Sequence, residues 1–148
     1  MKIVPRDCTA IMYKLKKAME NHVNLDFKIQ VGFFNPNFVS KSIPNHVLIS
    51  PNTEVYIQRG FQVDRIFKTE NFVFDINIVL RDVNDEQFFN EFNKKKMIIL
   101  TDILGKLDVL DEKIIDCNVQ VMYNLYDDLS STNVYNTCTL TVTLQVGQ

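Results

Sequence analysis

The chain of 148 residues has no tryptophan, three cysteines, four glycines, four prolines and two histidines. Each scarcity narrows the chemistry on offer. Gly32, Gly60, Gly105 and Gly147 are too scattered to form a phosphate-cradling loop or a dinucleotide fingerprint, both of which cluster glycines in one turn. Cys8, Cys117 and Cys138 are odd in number and far apart, which argues against a closed disulfide framework. Buried reduced thiols in a reducing compartment are the expectation. No further ligands stand at zinc-site spacing around His22 or His46, so no metal or cofactor is expected. Nor does any spacing support a cysteine–histidine dyad, and no catalytic residue is assigned. The acidic pairs Asp111-Glu112 and Asp127-Asp128 fall in connections, where turn formation and solubility explain them. Net charge is −2, without the basic excess of a dedicated nucleic-acid binder. No apolar run approaches the ~20 residues that span a bilayer. Lys2 and Arg6 flank a helix-like pattern and not the apolar stretch of a signal peptide.

What is present is apolar patterning. Hydrophobic residues make up 46% of the chain and include 11 phenylalanines, enough for one core within a single domain over 1–148. Near the end, Val134, Cys138, Leu140, Val142, Leu144 and Val146 alternate with Tyr135, Thr137, Thr139, Thr141, Thr143 and Gln145. Period two means a strand with one buried face and one polar face. Cys117 to Tyr126 is its partner, joined through the turn-rich stretch 127–133, and together they predict a closing antiparallel hairpin. Phe72, Phe74, Ile76, Ile78 and Leu80 mark another strand, and Phe27 to Phe33 a shorter one.

Two helices interrupt the strands. Asp7 caps the first, whose apolar positions are Ile11, Met12, Leu15, Ala18 and Met19. Asn84 caps the second, with Phe88, Phe89, Phe92, Ile99, Leu100, Ile103 and Leu104 as its stripe and Gly105 as its stop. Lys94-Lys95-Lys96 reads as a solvated face of that helix. The segment from Phe34 to about Pro51 is broken by Asn35-Pro36, Ile43-Pro44 and Ser50-Pro51-Asn52. It reads as an extended arm over 34–50 that orders against a partner, or as a meandering surface loop with one short strand. Glu54 to Gln58 and Phe61 to Phe67 are strand pieces that form one bulged strand or a tight hairpin.

The resulting fold class is α+β: an antiparallel or mixed sheet, two amphipathic helices on one face, a long arm after the first strand and a C-terminal hairpin. Candidate contact residues are of the types that anchor interfaces. They are Phe38 and Val39 in the arm, Tyr56, Arg59, Phe61 and Arg65 around the middle strands, and Thr139 and Thr141 on the polar face.

The order of these segments resembles the tail terminator and tail-completion proteins of long-tailed bacteriophages. The likeness is carried by the opening helix Asp7 to Met19, the strand and helix from Asn71 to Gly105, and the hairpin Cys117 to Val146. It implies a virion structural protein without an active site. Such a protein is made in the host cytoplasm and sits at the head-proximal end of the tail as a homo-oligomeric ring, a hexamer. The ring caps the tail tube protein, meets a neck or head-completion protein and lets DNA pass through its lumen. The other reading is a small intracellular α+β binding or adaptor module.

Overall fold

A computed structural model describes residues 7–33, 46–59, 66–81, 85–127 and 134–147. Helix α1 spans Cys8–Glu20, and the Asp7 carboxylate accepts the Thr9 amide at 3.0 Å, satisfying one of the first-turn N–H groups. Strand β1 is Lys28–Val31, β2 is His46–Arg59 and β3 is Ile66–Arg81. Helix α2 follows at Asp85–Ile98, and the closing strands are β4, Ile114–Asp127, and β5, Val134–Gly147. The 5-stranded sheet has the order β1-β2-β3-β5-β4. β1 pairs parallel to β2, and every other pair is antiparallel. The fold is α+β with a mixed sheet.

One face of the sheet holds the core. Ile29, Val47 and Ile49 lie on its first strands, with Phe72, Phe74, Ile76, Ile78 and Leu80 on β3. Cys138, Leu140, Val142, Leu144 and Val146 complete the row on β5. In the register Phe74 stands between Pro51 and Val142, and Ile76 between Ile49 and Leu140. Ile11, Met12, Leu15 and Met19 of α1 and Phe92 of α2 pack on this same surface. Each buried aliphatic or aromatic side chain stabilises the fold by about 1.5–3 kcal/mol relative to exposure.

Four features depart from the expectation. Residues 46–50, placed in the arm, belong to β2, and Val47, Leu48 and Ile49 are buried in the sheet. Ser50-Pro51-Asn52 makes no turn. The strand continues through a bulge between Pro51 and Thr53, where the missing proline N–H is tolerated. The remainder of the arm, with Phe38 and Val39, lies outside the described residues.

The second helix breaks just after Gly105. Its α-helical path ends at Ile98, passes through a wider π turn at Ile99–Ile103 and tightens into a 3-10 segment at Leu104–Leu110 that is kinked at Lys106, where the backbone is not helical (φ −130°, ψ 53°). The chain leaves that segment through Asp111, whose φ of 53° is left-handed, a region aspartate tolerates better than most residues. Phe89, assigned to the apolar stripe, is 61% exposed.

Lys95 is not solvated. It is 3% exposed, and its ammonium donates to Asp26 Oδ1 at 2.6 Å and to the Asn24 carbonyl at 3.1 Å. It also sits 4.5 Å from the centre of the Phe27 ring. One buried cation thus ties α2 to the connector between α1 and β1.

Candidate functional site

The second face of the sheet carries the densest polar organisation. Asn77, on β3, is 5% exposed. Its amide nitrogen donates to the Leu48 carbonyl at 3.1 Å and to Ser50 Oγ at 3.0 Å on β2. Its amide oxygen accepts from Thr139 Oγ1 at 2.8 Å on β5. Two residues along, Thr141 Oγ1 donates to Asp75 Oδ1 at 2.8 Å, and Asn52, at the bulge, donates to Asp75 Oδ2 at 3.4 Å. The register sets Asn77 opposite both Leu48 and Thr139, so the rungs cross three strands at one level.

This arrangement alters the reading of the threonine face. Thr139 and Thr141 are half-buried, and their hydroxyl hydrogens are engaged within the sheet. His46, Leu48, Val79 and Thr137 on this face are buried. The face is accessible on β4, where Asn118, Gln120 and Met122 are exposed, and on β2 beyond the bulge, where Thr53 and Val55 are.

β4 is also an edge strand. β5 covers one side of it, and no described strand pairs with its other side. It is 14 residues long, about 45 Å at the usual rise per residue. Between Ile114 and Asp127 it contains no lysine, arginine or proline, the residues that commonly blunt such an edge. Ile115, Val121, Met122 and Tyr123 on it are exposed. Tyr123 meets Phe92 edge to face at 6.2 Å, and the Lys96 ammonium lies 3.1 Å from its hydroxyl.

Among the other candidate contact residues, Tyr56 lies on β2 on the helix side of the sheet, away from Thr139 and Thr141. Its ring stands edge-on to Phe72 at 5.8 Å, and its hydroxyl donates to Glu54 Oε1 at 3.1 Å. Burial, and then the Glu54 hydrogen bond, push the phenol up to about 12. Tyr56 is 39% exposed and remains available at its rim. Arg59 ends β2, opposite Ile66, and its side chain is not among those described. Phe61 and Arg65 lie outside the described residues. The candidates therefore do not converge on one patch.

Two features were missed in the sequence. His22 and Asp102 stand 80 positions apart and meet at 2.7 Å in a cleft of about 670 Å³ between the end of α1 and the π turn. The Asn24 amide donates to His22 Nδ1 at 3.2 Å, so the ring proton sits on Nε2 and points at Asp102. Both ring nitrogens are hydrogen-bonded within the protein. The pair is a staple between α1 and the turn. His22→Ala is expected to lower the unfolding free energy by about 1–2 kcal/mol, read from urea melts. An unchanged midpoint would show that the pair holds nothing together.

The open edge of β4 is the second missed feature, because adjacency in a sheet is not written in any one strand. Burial raises Cys8 to about 12 and Cys138 to about 11, and it also raises Cys117. Among the described residues no group of three or more metal-binding side chains converges, and no helix is long and apolar enough to cross a membrane. No protein-family model matches the chain, and no curated protein matches it in sequence.

Proposed function

We propose that the chain is a virion structural protein, a ring-forming tail terminator that caps the tail tube and joins it to the head or neck. The observation that carries this reading is the open β4 edge, long, without basic residues and partly apolar. A strand edge of that kind recruits another strand. A contact between two different surfaces of identical subunits closes into a ring when its rotation permits. The element order adds support: an opening helix, a sheet, a second helix across it and a closing hairpin. On this reading the work is done by interfaces, and DNA passes through the lumen without base-specific contact.

Light scattering on a size-exclusion column, with negative-stain images of the same peak, tests the proposal. The expected particle has about six chain masses and a central hole. A strict monomer that also fails to cap isolated tail tubes would overturn the reading. The adaptor reading draws on the cleft beside His22, which is large enough for a small ligand. It expects a monomer or dimer.

A further inference from the structure

The sheet ends in two strands that run in opposite directions. β1, β2 and β5 run one way, and β3 and β4 run the other. Two copies set side by side, edge to edge, bring β4 of one against β1 of the next as an antiparallel pair. That ladder is the more stable kind per residue.

Four further observations favour this match. A cleft of about 480 Å³ borders β1, with Tyr13 and Lys16 of α1 on one side and His46 and Leu48 of β2 on the other. Phe33, just past β1, is 85% exposed at its end. The charges are complementary: the cleft offers Lys16 and Lys28, whereas β4 carries Asp116 and Asp127 and no base. Two copies of β4 set against each other would bring together acidic strands with no base between them. The faces also agree. Ile29 and Val31 pack toward the helices on β1, as Val119 does on β4, while Lys28 and Gln30 share the other face with Asp116 and Asn118. Pairing thus sets apolar against apolar and base against acid.

We infer that a second copy of this chain is the partner of the β4 edge, and that β4 of each subunit adds antiparallel to β1 of its neighbour, head to tail. The inference rests on the ring reading and names its contact. Because the contact joins unlike edges, it propagates from subunit to subunit and can close.

Cross-linking by a short bis-maleimide tests it, in a Cys117→Ser background where Cys8 and Cys138 stay buried. Gln30→Cys alone and Asn118→Cys alone are expected to give no product, and their mixture a dimer. A chain carrying both is expected to give a ladder up to the closed ring. Lys28→Glu and Asp116→Lys should each weaken self-association about tenfold, and together restore it. Self-cross-linking of the Asn118→Cys chain would mean twofold pairing of β4 and overturn the inference. No mixed product from chains that still form rings would overturn this contact and leave the ring reading standing. Chains that neither associate, cross-link nor cap tubes would sink both.

Discussion

Lys95→Ala is expected to lower the unfolding free energy by about 3–4 kcal/mol, among the largest effects of any single polar side chain here. The alanine removes two charge-assisted hydrogen bonds, to Asp26 and to the Asn24 carbonyl, and a cation over the Phe27 ring. It also removes a buried aliphatic stem and leaves a cavity beside α2. Lys95→Met keeps most of the stem and should recover about half of the loss. Urea unfolding of the three proteins checks this. A loss below about 1 kcal/mol for the alanine variant would mean that the connector between α1 and β1 is held without Lys95.

The same contact gives the protein an acid-sensitive term. The Lys95 hydrogen bond, and then its charge, hold the Asp26 carboxyl below the usual carboxylate range. A carboxyl depressed in the folded state adds stability above its unfolded pKa and loses it as pH falls through the folded value. The contribution is therefore complete above about pH 4 and fades below it. Lys95→Met should flatten that limb of the stability–pH curve, and Asp26→Asn should flatten it equally. Asp26 itself is exposed, so the salt dependence of the effect should be visible as well.

Lys95 also shows where sequence patterning misleads. Phe92, Lys95 and Ile99 recur at helical spacing, so position 95 falls on the buried stripe, while Phe89 lies off it. Reading Lys94-Lys95-Lys96 as one charged run hid the one lysine whose angle differs. β3 and β5 were legible because alternation is a property of a single strand. β2 was not, because Ser50-Pro51-Asn52 has the composition of a turn and only the pairing with Phe74 and Val73 reveals a bulge. Gly105 carries the signal of a helix end, and the helical path does break just after it, at Lys106, before a short turn runs on to Asp111. The alternating threonines marked a polar face correctly. The partners of Thr139 and Thr141, Asn77 and Asp75, lay in another strand, so the ladder that engages them could not be seen.

Asn77→Asp is expected to cost about 3 kcal/mol at neutral pH and less in mild acid. The side chain hardly changes shape, but the amide nitrogen with its two donor hydrogens becomes one acceptor oxygen facing the Leu48 carbonyl and Ser50 Oγ. Thr139 can still donate to the new carboxylate, while the Leu48 carbonyl loses its side-chain donor. Burial raises the folded pKa of the introduced group above its unfolded value. The sign then runs opposite to that of Asp26. Stability is retained below the unfolded pKa and lost as pH rises through the folded one. Asn77→Ala removes the hydrogen bonds without adding charge, and should cost about 2 kcal/mol with no such slope. Urea melts at pH 5 and pH 7 separate the two variants. An aspartate variant with no pH dependence would mean that its carboxylate finds other donors. The rungs between β2, β3 and β5 would then not be what fixes the polar face. A steep slope would show the opposite: the sheet that presents β4 at its edge is held in register from its polar side as well as from its core.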